Sequence, residues 1–237
     1  MTAPPPRTSG LRVGLTGGLG SGKTTAANMF ARRGAVVFSA DQLARSLMQP
    51  GQAVFAAIVR HFGPSVLRPD GTLDRPALAR LAFAGGRVEE LNALIHPATI
   101  ALQNQLAREA FDRDPNAIVL VESALIFETR HGAATEQNSG SEESPGWSKR
   151  FDSLILVTAP ESQKIARFVA RSGAGDPQAS EALAEEARRR LAQLIPDAEK
   201  APLCEFILRN DGSLDFLEQQ VEAVWNALHR RQASSRS

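Results

Sequence analysis

The sequence predicts an α/β protein, a three-layer α/β/α sandwich with about five parallel strands and helices on both faces. Two observations carry that prediction. Short apolar runs rich in valine, isoleucine and leucine recur between helix-length segments, as in parallel sheets whose strands are buried on both faces. The first run leads into a glycine-rich turn, Thr16-Gly17-Gly18-Leu19-Gly20-Ser21-Gly22-Lys23-Thr24-Thr25, and then into a helical segment. Strand, glycine turn, helix and second strand at this spacing make a βαβ unit.

Composition narrows the class. The chain has 237 residues, 43% of them hydrophobic and 22% charged, enough for a sizeable core. Its 27 Lys and Arg against 26 Asp and Glu leave a formal charge of +1, which argues against nucleic acid as a partner. Cys204 is the one cysteine, so no intramolecular disulfide can form, which fits a reducing cytoplasm. No apolar run approaches the length of a membrane span. The expectation is a cytoplasmic protein without a membrane partner, a monomer or small homo-oligomer.

Taken in order, residues 1–10 are Pro-rich and lack an apolar signal core, so they read as a disordered arm. Residues 12–16 form the first strand and 23–33 a helix burying Ala26, Ala27, Met29 and Phe30, with Gly34 where a helix-ending glycine belongs. Residues 35–38 read as a second strand, buried on both faces, and 42–48 as a short helix. Residues 49–114 read as a helical lobe. In it 52–62 presents Val54, Phe55, Ile58, Val59 and Phe62 on one side, 75–83 is a second helix, and 88–111 is a long one broken or kinked near Pro97. Residues 117–121 are a third strand. The stretch 130–149 is polar and aperiodic and reads as a mobile surface loop. A fourth strand at 153–157 precedes a region, 161–195, of two helices joined by a small-residue turn. The first carries Lys164, Arg167 and Arg171; the second, capped by Ser180, carries Arg188, Arg189 and Arg190. A fifth strand at 206–208 and a helix burying Leu214, Leu217, Val221, Val224 and Leu228 complete a single domain over 11–230, with a disordered tail at 231–237.

The chemistry starts at the glycine turn. Gly17, four residues, Gly22, Lys23 and Thr24 fit the phosphate-loop pattern G-x-x-x-x-G-K-[ST], which places the fold among the P-loop NTPases. Glycines allow the backbone amides of Gly17, Gly18, Leu19, Gly20, Ser21, Gly22, Lys23, Thr24 and Thr25 to turn toward an anion, and the next helix aims its positive end there. Lys23 reaches the β- and γ-phosphates and Thr24 offers a hydroxyl to Mg²⁺, so the chain is expected to bind ATP or GTP with magnesium. Glu122 closes the third strand as a second Mg²⁺ ligand would; the alternative is an exposed acid at a strand end. Asp41 follows the second strand, on the sheet edge where ligands bind in open α/β folds; the alternative is a helix N-cap. The arginines of 161–195 make a candidate lid that excludes water and brings positive charge, or a solvated basic surface.

Several stretches together resemble the dephospho-CoA kinases, P-loop kinases related in fold to the nucleoside monophosphate kinases. They are Leu15 to Thr24, Ser39-Ala40-Asp41-Gln42-Leu43-Ala44-Arg45, Phe62-Gly63, Asp70-Gly71-Thr72-Leu73-Asp74-Arg75, Leu91-Asn92-Ala93-Leu94-Ile95-His96-Pro97, and Glu122 with Leu125-Ile126-Phe127-Glu128. The chain departs from the pattern at Ser39, Ala124, Leu194 and Arg209, and in the length of the 130–149 loop. The resemblance implies transfer of the ATP γ-phosphoryl group to the ribose 3′-hydroxyl of dephospho-CoA. It implies Asp41 as the group taking the hydroxyl proton, Lys23, Arg167 and Arg171 as neutralisers of phosphate charge, and Arg45 as a substrate-phosphate ligand. His96 either braces the helix at Pro97 or touches the substrate's pantetheine arm. Two rivals stand beside this reading: another small-molecule P-loop kinase, and a P-loop switch or binding module, the latter weakened as a GTPase by the lack of an Asn-Lys-x-Asp stretch.

Overall fold

The computed structural model describes residues 10–128, 147–173 and 176–234. In chain order the elements are β1 Leu11–Thr16, α1 Lys23–Arg32, β2 Val36–Ser39, α2 Ala40–Leu47, α3 Ala53–Phe62, α4 Arg75–Ala84, α5 Val88–Arg113, β3 Ile118–Glu122, α6 Trp147–Arg150, β4 Ser153–Thr158, α7 Glu161–Ser172, α8 Pro177–Ala192, α9 Asp197–Lys200, β5 Phe206–Arg209 and α10 Leu214–Ser234. They fall into two compact units. The first runs up to Phe38, resumes at Ala107 and, past the segment outside the described residues, takes in the chain from Trp147 on; the second begins at Ser39 and ends at Leu106.

The sheet is parallel, in the order β2-β3-β1-β4-β5. β1 lies at its centre, with Leu15 level with Glu122 of β3 on one side and Ile155 of β4 on the other. The chain leaves β1 for the β2–β3 side and later crosses to β4, so connections diverge at the carboxyl end of β1, where open α/β sheets leave a crevice for ligands. β2 is an edge strand, and all four of its residues are only half-buried. This corrects the expectation of a strand covered on both faces. Val36 and Phe38 pack on Ala107, Ala110, Phe111 and Val119, and an apolar run of this length reads alike at an edge and at the centre.

Helix α1 ends in a Schellman turn: Gly34 at φ 105° donates its N–H to Ala31, and Ala35 donates to Phe30. The main core gathers Val13, Leu15, Phe30, Leu120, Ile155, Val157 and Leu208 against the α10 stripe Leu217, Val221, Val224 and Leu228. Leu214 does not join that stripe; it is 63% exposed at the first turn of α10. Glu218 of α10 pairs with Arg32 and Arg33 at the end of α1.

Other boundaries also differ from expectation. α10 continues to Ser234, with Gln232 buried and its Nε2 donating to Asn116 O at 2.8 Å, so the chain at 231–234 is helix rather than tail. The cap of α8 is Asp176, whose carboxylate accepts from the N–H of Ala179, not Ser180. Trp147–Arg150 is a helical turn with Arg150 buried, and Trp147 meets Phe127 edge-on at 5.0 Å. The remainder of the polar loop, 130–146, lies outside the described residues, as do the arm at 1–9 and residues 235–237. Of the break or kink expected near Pro97, the break does not occur: α5 runs through Pro97 as one helix, and the Thr99 hydroxyl donates to Ile95 O at 2.8 Å.

The second unit has its own core. Val54, Ile58 and Phe62, spaced by four along α3, pack with Val66, Leu73 and Leu78 and are flanked by Leu91, Leu94 and Ile95 of α5. The Asp70-Gly71-Thr72 turn is closed by Asp70 Oδ1, which accepts from the N–H and the hydroxyl of Thr72 at 2.9 and 2.6 Å. These bonds hold the Asp70 carboxyl below the ordinary carboxylate range. Asp74 Oδ1 then accepts from the Ala77 N–H at the first turn of α4.

Leu217 is fully buried where α10 closes the main core. Leu217→Ala is expected to lower unfolding free energy by about 2–5 kcal/mol, read from the midpoint shift in urea at unchanged slope.

Candidate active site

Two glycines show why the loop after β1 needs this sequence. Gly22 stands at φ 95° in the N-cap position of α1, and a Cβ there would lie 2.0 Å from Asn210 Nδ2. Gly20 stands at φ 71°, and a Cβ there would lie 2.1 Å from the Lys164 carbonyl oxygen. Both positions therefore combine a left-handed backbone with no room for a side chain. The loop is held between the start of α7 and the segment after β5. Asn210 Nδ2 donates to Ser21 O at 2.8 Å, and Arg167 Nη2 donates to Asn210 O at 2.8 Å and to Gln163 Oε1 at 3.1 Å.

No side chain caps α1, so its first-turn N–H groups stay open to an anion at the positive end of the helix. Lys23 Nζ donates to Gly18 O at 3.1 Å, which lays the ammonium along the inside of the loop. The Thr24 hydroxyl donates to Glu122 Oε1 at 2.8 Å. That bond joins the first turn of α1 to the end of β3, the neighbour of β1, and sets two hard oxygen donors side by side. The set suits Mg²⁺, which takes one or two protein oxygens and keeps waters on its other positions.

The structure thus brings the loop residues, Glu122 and Arg167 together in the first unit. Arg167 Nη1 also approaches Gly20 O at 3.5 Å, so this arginine braces the loop. Arg171, one turn further along α7, is exposed. Arg188 and Arg190 pair with glutamates of their own helix, Arg188 with Glu181 and Glu185 and Arg190 with Glu186, as solvated helix faces do.

Asp41, Arg45 and His96 belong to the second unit. The N-cap of α2 is Ser39, and Asp41 lies inside the first turn with its carboxylate exposed, so the alternative of Asp41 as a cap does not hold. Arg45 stands one turn later on α2 and is also exposed. His96 is half-buried on α5, immediately before Pro97.

Three further residues lie beside the loop: Lys164, which the sequence offers only as one cation of the 161–195 region, and Asp197 and Asn210, to which it assigns no role. Lys164 is buried on α7 and pairs with Asp197 Oδ2, which also accepts the Thr158 hydroxyl at 2.7 Å. One signal does point to Lys164: it precedes the buried Phe168 by four, so it lies on the inward stripe of α7. Nearby, Glu128 Oε1 accepts the Ile195 N–H at 3.2 Å and forms an ion pair at 2.7 Å with the fully buried Lys200. Burial pushes the Cys204 thiol up to about 11, which favours the thiol over the thiolate at neutral pH.

Comparison with known proteins gives the family. The family model for dephospho-CoA kinase matches residues 11–138. The dephospho-CoA kinase of Symbiobacterium thermophilum is 38% identical over 217 residues, 91% of this chain and 80% of that protein. The dephospho-CoA kinase of Moorella thermoacetica is 34% identical over 93% of each chain. A crystal structure from Thermus thermophilus aligns with a TM-score of 0.67 at 30% identity, over 92% of this chain and 97% of the other. The dephospho-CoA kinase from Campylobacter jejuni shares the fold at a TM-score of 0.53 and 18% identity, over 93% and 98%. With its P-loop kinase fold and a match through the glycine loop and the helical segment after β2, the chain belongs to the dephospho-CoA kinase family.

Proposed function

We propose that this chain is an ATP-dependent kinase that phosphorylates the ribose 3′-hydroxyl of dephospho-CoA, giving CoA and ADP. The observation that carries the reading is the phosphate cradle with the Thr24–Glu122 hydrogen bond at its mouth, in a chain of this family. The loop amides and Lys23 hold the β- and γ-phosphates. Thr24 and Glu122 hold Mg²⁺, whose contribution when bound is to neutralise charge on the phosphate oxygens. Arg167 keeps the loop in shape while offering charge to the nucleotide, and Arg171 brings charge to the transferring group as the 161–195 region closes.

The 49–114 segment serves as the acceptor lobe. Asp41 takes the proton of the 3′-hydroxyl as its oxygen attacks the γ-phosphorus and ADP leaves. Its carboxylate is exposed on the first turn of α2 and free for that role. Arg45 binds a substrate phosphate, and His96 braces α5 or meets the pantetheine arm. The enzyme works in the cytoplasm as a monomer or small homo-oligomer. Among the described residues no helix is long and apolar enough to cross a membrane.

Incubating the protein with ATP, Mg²⁺ and dephospho-CoA should yield CoA by mass spectrometry, with Lys23→Ala as the inactive control. ADP release independent of the acceptor would instead mark a switch ATPase. Asp41→Asn is expected to slow single-turnover phosphoryl transfer by about 10²–10⁴-fold with ATP affinity retained. A loss under about tenfold removes Asp41 from the chemistry. Glu122→Gln should raise the Mg²⁺ concentration for half-maximal rate several-fold while leaving Mg²⁺-free ATP binding intact; an unchanged Mg²⁺ dependence assigns the metal elsewhere.

A further inference from the structure

A cavity of about 360 Å³ opens beside the phosphate loop, within the first unit. Its charged lining is Lys164 and Glu161 of α7, Arg188 of α8 and Asp197 of α9, with Gly18 of the loop and Leu191 of α8 beside them. Two cations and two acids therefore share the cavity, and Asp197 is already paired with Lys164. Of the cations that line the cavity, Lys164 reaches the loop: its Nζ stands 3.4 Å from where a Cβ on Gly18 would be. It is also the one kept out of water, at 8% exposure.

A buried lysine is costly unless its charge is met. Here Asp197 meets it, and Asp197 is itself held by the Thr158 hydroxyl at 2.7 Å and carried on α9 just after Pro196. Ile195, two residues earlier, is tied by its N–H to Glu128. The carboxylate is therefore fixed from both ends, and it fixes the ammonium in turn. An ammonium carries three donors, and among the described residues Asp197 takes one of them. A cation locked against one carboxylate, with donor capacity left beside a loop that binds phosphate, is arranged to bind an anion rather than only to join two helices.

We propose that Lys164 is a further phosphate ligand of this kinase, oriented by Asp197, and that it binds a phosphoryl oxygen entering the cavity beside Gly18. The proposal rests on the kinase reading above. The phosphoryl group comes from the nucleotide or from the acceptor, and both present the same oxygens to the ammonium. Asp197 is a positioning residue: it sets where the ammonium points and does not itself touch the ligand.

The test is equilibrium binding of ATP and of dephospho-CoA, each alone, to the wild type, Lys164→Gln and Lys164→Arg, measured by calorimetry. Lys164→Gln should weaken one of the two ligands by about tenfold or more, the scale of a charge-assisted hydrogen bond. Lys164→Arg should restore most of that loss, and the ligand affected identifies the source of the phosphoryl group. Lys164→Gln leaves Asp197 without its partner and can fail to fold. The double variant Lys164→Gln, Asp197→Asn removes both charges and gives the same readout. Unchanged affinity for both ligands in a folded variant, with only the melting temperature lowered, overturns the proposal and makes the pair purely structural. Failure of the kinase reading is seen separately, as absence of CoA from the wild type; a loss of ATP affinity in Lys164→Gln would stand without it.

Discussion

The first unit is organised by a steric constraint: at Gly17, Gly20 and Gly22 the backbone passes so close to its neighbours that a side chain cannot be accommodated. A Cβ at Gly17 would meet the Val157 carbonyl oxygen at 2.2 Å, at Gly20 that of Lys164, and at Gly22 the amide of Asn210. The neighbours come from the end of β4, the start of α7 and the residue just after β5, so three separate segments meet at one turn of chain. Closure of this kind has an energetic purpose. Inward-facing amides attract an anion strongly only if they are held in place before it arrives, because reorganising them would consume the binding energy. Asn210 and Arg167 supply that hold with hydrogen bonds rather than apolar packing, and so leave the cradle polar.

The sheet order serves the same end. β1 is central, its carboxyl end is flanked by β3 and β4, and Glu122 reaches Thr24 because β3 is the direct neighbour of β1. Had β2 taken that place, the acid closing β3 would lie one strand further away, roughly 4.8 Å more. The second unit follows another logic. It builds an independent apolar core on α3 and α5, and its Asp-Gly-Thr turn is satisfied internally through Asp70 and Thr72. A conspicuous motif can thus be architecture: the Asp70 side chain is occupied in shaping the turn, whereas Asp41 on α2 is exposed.

Charge in the 161–195 region divides in the same way. Arg188 and Arg190 are engaged with glutamates one or two turns away on the same helix, where solvent screens such pairs and each adds little. Arg167 and Lys164 lie on the inward side of α7 and touch, or nearly touch, the phosphate loop. Counting cations along the chain does not separate these groups; their position around each helix does.

The sequence by itself determined the α/β class, all five strands, the phosphate loop and the acid that closes the third strand, because these depend on local spacing: glycines where the backbone must turn, a helix after a strand, an acid at a strand end. It also carried the family, through motifs read in order. The tertiary structure alone decided that β2 is an edge strand, that α5 passes Pro97 unbroken, that α10 reaches Ser234, and that Leu214 faces solvent. It alone brought Lys164, Asp197 and Asn210 to the loop from positions over 140 residues along the chain. Burial and partnership depend on what packs against a segment, and an apolar run or a lone lysine carries no record of its neighbour.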